Sequence, residues 1–477
     1  MSVDDTEPAT VPVLMDAAAR ERIRTDIGKT LIVEAAAGTG KTTVLIGRII
    51  SLLSSSDDVQ LQNIVAVTFT ERAAGEMKLR LRTEVERARI AATVPAIRAR
   101  LDRALYELET SRISTIHALC GDLLRERPIE AGVDPQFDIG ADGRTERLYD
   151  QAFDRWLREA IAQSETYPGV RRVLRRATFA GGGGSDGPIQ SLRSAGWALA
   201  ERRDYPAAWK TPDYDREASI LSLLATLKTL AKMVLQCPDP ADTLAQALEP
   251  LAQLSHDIDR REALNARYDL DELEAALRGL TKIWGIWRRR GSGRYFAKDL
   301  ERRAVLDQRE SFQSALQQFV ASADADVAAL LHTEMQSLVE RLEARKESAG
   351  ILGFLDLLLR TRDMLVGDAS VRLALQTRFK YVLIDEFQDT NPLQAEILLL
   401  LTADDPAETR WEQVRPSPGK LFVVGDPKQS IYRFRRADVA LYERIKRRLV
   451  AQGAEVLQLQ TCFRCRPAIA HAVNAAF

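Results

Sequence analysis

"TLIVEAAAGTGKTTVLIGRII", residues 30–50, sets three textures in order: a short apolar run, a glycine-bearing turn, and a stretch with apolar positions three and four apart. That order predicts a buried strand, a loop and a helix. Within it, AAAGTGKTT (35–43) fits the phosphate-binding pattern G-x-x-x-x-G-K-[ST], with Ala35 where the first glycine is usually written. The pattern has a physical logic. Gly38 and Gly40 let backbone N–H groups turn inward around phosphate oxygens, Lys41 reaches the β and γ phosphates, and Thr42 binds Mg²⁺. The helix that starts here points the positive end of its dipole at the same anion. A cradle built from Ala36, Ala37, Gly38, Thr39, Gly40, Lys41, Thr42 and Thr43 is therefore expected, with ATP and Mg²⁺ as its occupants.

Such a loop needs an acidic partner at the end of a neighbouring strand. YVLIDEFQDT (381–390) supplies one, an apolar run ending in Asp385 and Glu386. Asp385 is expected to hold Mg²⁺, directly or through water, and Glu386 to orient or deprotonate the attacking water. Lys41 and Asp385 lie 344 residues apart, yet their strands must share one sheet, so the chain between them makes an excursion. Further strands are expected at 63–69, 111–116, 419–426 and 455–460. Residues 138–350 instead carry long amphipathic stretches with helical periodicity, broken by AGGGGSDGP (180–188) and PDP (238–240). The predicted fold is α/β. A P-loop domain with a parallel sheet, RecA-like if a family resemblance carried by its motifs holds, is expected from residues 1–137 and 351–477, and a large, mostly helical insertion domain from 138–350.

Whole-chain properties bound the function. The 477 residues are 45% hydrophobic and 28% charged, the balance of a globular chain of several domains, and the net charge is only -1. Binding to nucleic acid must then come from local basic patches rather than a global field. The acidic start, MSVDDTEPATVPVLMD, is unlike a signal peptide, and no run of 18 uncharged apolar residues follows, so a cytosolic address without membrane contact is expected. Four scattered cysteines, Cys120, Cys237, Cys462 and Cys465, agree with a reducing compartment. The Cys462-x-x-Cys465 pair offers two sulfurs where a closed zinc site needs four donors, and His471 is the only further candidate nearby.

Several segments together resemble the UvrD/Rep-like superfamily 1 DNA helicases, nearest the AddA/RecB branch, over roughly residues 14–137 and 350–477. TFTERAAGEMKLRL is similar to that family's first contact with single-stranded DNA, headed by Thr68, Phe69 and Thr70, and STIHALC to the next, with Thr115 and His117. DEFQDTNPLQ, including Gln388 and Asp389, resembles its metal-binding strand end, and VVGDPKQSIYRFRRAD the segment that couples nucleotide to DNA. The closing CFRC resembles a motif usually written N-[YF]-R-S, with cysteines in place of the polar pair. The resemblance implies that Gln429 senses the γ-phosphate, that Arg464 pairs with it and that Phe463 stacks on adenine. It also implies DNA contacts through Tyr432, Phe434 and Arg435, where aromatic faces alternate with cations as a strand-tracking groove requires.

The function implied is an ATP-dependent, 3'-5' DNA helicase or translocase of repair or recombination, of which these residues form the ATP- and strand-binding N-terminal portion. It would act on single-stranded DNA and duplex junctions beside a nuclease or recombination subunit, in the cytoplasm at the nucleoid. A second RecA-like domain is not found in this sequence, which leaves a catalytically silent half-motor as the rival reading. The family's adenine-reading glutamine is also missing, with Ala19 near its expected place. A second basic-aromatic stretch, TKIWGIWRRRGSGRYFAKDLERR (281–303), is a further candidate for phosphate contact, weighed against a solvated helical face.

Overall fold

The computed structural model describes residues 14–140, 143–178, 187–205, 209–210, 213–264, 269–432, 438–465, 468–469, 472 and 475. The described chain divides into two compact units, one from the residues up to Gly140 together with Gly350 onward, the other from Ala141–Ala349. Along the chain the strands are β1 (Leu31–Ala35), β2 (Ile64–Thr68), β3 (Arg112–Thr115), β4 (Asp138–Ile139), β5 (Tyr295–Ala297), β6 (Leu300–Glu301), β7 (Ile351–Leu352), β8 (Tyr381–Ile384), β9 (Leu421–Gly425) and β10 (Glu455–Leu459). The first five α-helices are α1 (Ala17–Thr25), α2 (Lys41–Ser55), α3 (Glu71–Ala91), α4 (Pro95–Tyr106) and α5 (Ile116–Glu126).

Six strands of the first unit form one parallel sheet in the order β10-β1-β9-β8-β2-β3. Its central strands are continuous apolar runs, because a parallel sheet covered by helices is buried on both faces. All five residues of β2 and of β9 are buried. Successive side chains then serve opposite cores. Ile32, Val65, Val67, Val382, Ile384 and Val423 join one apolar cluster, while Leu31, Val33, Ile64, Ala66, Leu383, Phe422 and Val424 join the other.

Parallel pairing has a consequence for chemistry. Every strand of this sheet runs the same way, so the segments after β1, β2, β3, β8, β9 and β10 all emerge at one edge, where open α/β sheets bind their ligands. β4 and β7 pair in parallel in the same unit, where the chain leaves at Gly140 and returns at Gly350.

Among its described residues the second unit is helical apart from the β5–β6 hairpin and connecting turns. Two of its long periodic stretches resolve into helices Arg216–Val234 and Arg302–Glu334, the latter followed by Gln336–Ser348 after a break at Met335. The expected loop at 180–188 lies outside the described residues from 180 to 186, and Pro188 opens a helix. Buried charge ties this unit together. Glu274 accepts from Arg172 at 2.7 Å, Arg176 at 2.7 Å and Arg216 at 2.8 Å, while neighbouring Asp271 accepts from Arg171 and Arg216, both at 2.7 Å. Removing the Glu274 carboxylate leaves arginines with less compensation inside the fold. Glu274→Ala should cost about 3–5 kcal/mol, read as a lowered urea midpoint for this unit, whereas the exposed pair Arg72–Glu76 should cost under about 1 kcal/mol when broken.

Candidate functional site

Between β1 and α2 the chain needs two left-handed residues, Gly38 at φ +78° and Gly40 at φ +85°, a conformation that glycine adopts without steric cost. Thr39 closes the turn by donating from Oγ1 to the carbonyl of Ala36 at 2.8 Å. Arg48, buried on α2, donates to the carbonyls of Ile23, Asp26 and Lys29 and so fixes the C-terminal end of α1 against the helix that follows the loop. Lys41 is buried at the first turn of α2, Thr42 is half-buried beside it, and Thr43 is exposed.

The end of β8 meets this loop. Lys41 Nζ lies 2.6 Å from Glu386 Oε2, an ion pair spanning 345 residues of chain. Glu386 adopts φ +54°, a left-handed backbone that costs a non-glycine residue about 1–2 kcal/mol; strain of this kind concentrates at functional sites. Burial pushes the Asp385 carboxyl up to about 6, with Glu386 adding to the rise and Lys41 opposing it. Asp389 is pushed up to about 6 by the same causes, and its Oδ1 is buried with no hydrogen-bond partner among the described residues.

Gln388 connects these groups to β9. Its amide nitrogen donates to Glu386 Oε2 at 2.8 Å and Asp389 Oδ2 at 3.3 Å, while its oxygen accepts from the backbone of Asp426 at 2.8 Å. Gly425 is required for this approach, since a Cβ there would meet Gln388 Oε1 at 2.9 Å. Gln429, expected to reach a γ-phosphate, instead donates to Asp426 Oδ2 at 2.5 Å. Three carboxylates against one ammonium leave the pocket short of positive charge. That deficit, with the orphaned Asp389 oxygen, fits Mg²⁺ held by one or two carboxylates plus phosphate oxygens and water. No group of three or more ligating side chains among the described residues could hold a metal alone.

The segments after β2 and β3 give their threonines local tasks. Thr70 caps α3 by accepting from Ala73, and Thr115 caps α5 by accepting from Ala118 while donating to Glu71 at 2.5 Å. Thr68 is buried and donates to the carbonyl of Thr70 at 3.1 Å. Phe69 and Tyr432, from two segments expected to contact DNA, pack with ring centroids 4.6 Å apart and planes tilted by 33°. His117 meets the ring of Phe354 edge-on at 5.4 Å, and Phe354 is mostly exposed although no motif signalled it. Phe434 and Arg435 lie outside the described residues.

The basic stretch at 281–303 is not one surface. Phe296 and Arg302 are buried, Arg302 pairing with Asp242 at 2.7 Å, and Trp287 packs on the apolar cluster of the second unit. Trp284 and Tyr295 remain exposed, beneath the guanidiniums of Arg288 and Arg294 respectively. The periodic alternation of cation and ring could not reveal that half of it serves packing.

After β10, the closing segment runs onto the phosphate loop. Phe463 N donates to the carbonyl of Gly38 at 2.8 Å, and Cys462 Sγ lies 3.5 Å from the carbonyl of Ala37. Arg464 is exposed beside them. Cys120, Cys237 and Cys462 are free thiols. Two residues outside every motif complete this corner. Asp16 accepts five hydrogen bonds, from Arg20, Gln460 and Thr461, and Arg20 reaches the carbonyl of Thr39 and the ring of Phe463. Ala19, placed by resemblance near the adenine edge, packs toward the apolar cluster, and its neighbour Arg20 faces the loop. The lone sequence signal was an Asp and an Arg one helical turn apart.

The described residues contain no helix long and apolar enough to cross a membrane. A family model described as UvrD/REP helicase N-terminal domain matches residues 15–449. Among curated proteins, the chain is similar to an ATP-dependent helicase/nuclease subunit from Geobacillus kaustophilus, 29% identical over 94% of this chain and 38% of that protein. The proteins of the same description from Moorella thermoacetica and Latilactobacillus sakei are 31% and 29% identical, over 94% and 87% of this chain. The chain spans 38%, 34% and 49% of these three relatives' own lengths.

The buried carboxyl of Asp385 sets a pH dependence. Its folded value of about 6 stands above the ordinary 3.8, so the folded state keeps a proton that the unfolded chain has already released. Its contribution is therefore intact below about 4 and lost as pH rises through about 6. In the nucleotide-free protein, Asp385→Asn should gain on the order of 1–3 kcal/mol at pH 7. Urea denaturation of the two proteins across this range should show their difference shrinking toward pH 4.

Proposed function

The chain belongs to the UvrD/REP helicase family, whose N-terminal domain model it matches over residues 15–449, and on that premise we propose that it is the ATP- and strand-binding portion of a DNA helicase or translocase acting in repair or recombination. The carrying observation is the Lys41–Glu386 contact, which brings a phosphate-type loop and an acidic strand end to one sheet edge. The proposed substrates are ATP and single-stranded DNA at duplex junctions. Movement is 3' to 5', and the chain works beside a nuclease or recombination subunit in the cytoplasm, at the nucleoid.

In this reading the triphosphate lies along Ala36–Thr43 with its charge answered by backbone N–H groups, the N-terminus of α2 and Lys41. Thr42 and Asp385 hold Mg²⁺, which supplies charge neutralisation to the phosphate oxygens. Lys41 exchanges Glu386 for phosphate when ATP binds, and this exchange frees a carboxylate oxygen. Glu386 then takes a proton from the water whose oxygen attacks the γ-phosphorus, while the bond to the β–γ bridging oxygen breaks. Gln429 and Arg464 contact the γ-phosphate, and Phe463 stacks on the base.

Coupling to DNA follows the backbone. Gln388 holds the start of the Asp426–Gln429 turn, and Ser430 donates to the Gln388 carbonyl at 3.2 Å. Tyr432, packed against Phe69, lies only three residues beyond Gln429. A shift of Gln429 toward phosphate is therefore transmitted to an aromatic pair suited to stacking on bases. Thr68, Thr70, Thr115, His117, Phe434 and Arg435 complete the proposed DNA track.

ATP hydrolysis by the whole protein, measured with and without single-stranded DNA, tests this reading. DNA should stimulate the rate, and Lys41→Ala should lower it at least about 100-fold. Phe434→Ala should remove the stimulation but keep the basal rate. Equal rates with and without DNA, or an unaffected Lys41→Ala protein, would falsify the proposal.

A further inference from the structure

Asp16 occupies the N-cap position of α1 yet makes no capping hydrogen bond to that helix. Its carboxylate is committed to three other residues. Oδ1 and Oδ2 accept from Arg20 Nε at 2.9 Å and Nη2 at 2.8 Å, and the same oxygens accept from Gln460 N at 2.9 Å, Thr461 N at 3.0 Å and Thr461 Oγ1 at 2.9 Å. The hydrogen bond from Arg20 is the main cause holding the Asp16 carboxyl well below the usual carboxylate range, so it stays ionised throughout the neutral region.

Arg20 extends the connection to the phosphate loop. Its Nη2 also donates to the Thr39 carbonyl at 2.9 Å, and its guanidinium lies 5.0 Å from the centroid of the Phe463 ring. One arginine fork thus holds the loop carbonyl and one face of the aromatic ring, while its carboxylate partner holds the two backbone N–H groups that begin the closing segment. The fit beneath is tight: a Cβ on Gly38 would come within 2.6 Å of Arg464 Cβ and 2.9 Å of Cys462 Sγ.

We propose that Asp16 and Arg20 are positioning residues that dock the Thr461–Cys465 segment on the phosphate loop and thereby present Arg464 to the γ-phosphate. The proposal rests on the reading of Arg464 given above. Neither residue touches the reacting atoms; they act through the place where Arg464 stands. A bidentate carboxylate–guanidinium pair suits this task because its fork fixes orientation as well as distance. A capping aspartate alone would support α1 and leave discrimination between nucleotides untouched.

The test is the ratio of affinities for Mg-ADP and for a non-hydrolysable ATP analogue, measured by displacement of a fluorescent nucleotide from the whole protein. This ratio isolates the γ-phosphate contact. Arg464→Ala should bring the two affinities close together. Asp16→Asn should shrink the preference for the triphosphate about tenfold while moving ADP affinity less than about threefold, and should add nothing in the Arg464→Ala background. Thr461→Val, which removes a single donor, should act in the same direction with smaller size. Arg20→Lys keeps the charge but not the fork, and should recover only part of the preference lost in Arg20→Ala.

Equal weakening of both nucleotides by Asp16→Asn and Thr461→Val would overturn the proposal, as would additive effects of Asp16→Asn and Arg464→Ala. An unchanged ratio in Arg464→Ala would remove the γ-phosphate role of Arg464 itself, and this positioning role with it. That outcome is distinguished from the others because it arises in a variant whose Asp16–Arg20 pair is intact.

Discussion

An ammonium and a carboxylate 345 residues apart meet at 2.6 Å, and the first unit is organised around making that meeting possible. Lys41 can reach Glu386 only if β1 and β8 lie in one sheet with the same direction, separated by β9 alone. Between them the chain adds β2 and β3 to the same sheet, and the segment Ala141–Ala349 must leave and return without disturbing the register. β4 and β7, paired in parallel, lie where it does so.

The same edge concentrates charge of one sign. Asp385 and Asp389 are held as weak acids by burial beside Glu386, and Lys41 answers only part of that charge. An arrangement of this kind is costly in the absence of a ligand and favourable toward a cation bound with phosphate, because neutralisation is stronger where water is excluded. The left-handed backbone of Glu386 belongs to the same compromise between stability and chemistry. Gln388 makes the compromise communicable, because one amide group touches Glu386, Asp389 and the turn that leads to Tyr432.

The second unit solves a different problem with similar groups. Its arginines and acids form a buried network around Glu274 and Asp271, whereas its exposed Trp284 and Tyr295 carry arginines over their rings. In the sequence these arginines look alike. Burial separates them, since a guanidinium removed from water needs protein acceptors, here carboxylates, in place of the water that serves one at the surface.

Much of the architecture was written in local spacing. The glycines of the loop, the apolar runs of β1, β2, β8, β9 and β10, and the helical periodicity between them each depend on neighbours a few residues away, so the sequence alone determined an α/β fold with a parallel sheet and a phosphate-type loop. It also marked Asp385, Glu386 and Gln388 as a group, because they are adjacent in the chain. It left Asp16 and Arg20 invisible, and merged buried Phe296 and Arg302 with exposed Trp284 and Tyr295. Tertiary structure alone decided those matters. Contacts such as Asp16 with Thr461, 445 residues away, arise from sheet order and burial, and closing so long a loop is an entropic cost met by the whole fold rather than by any pattern within a short window.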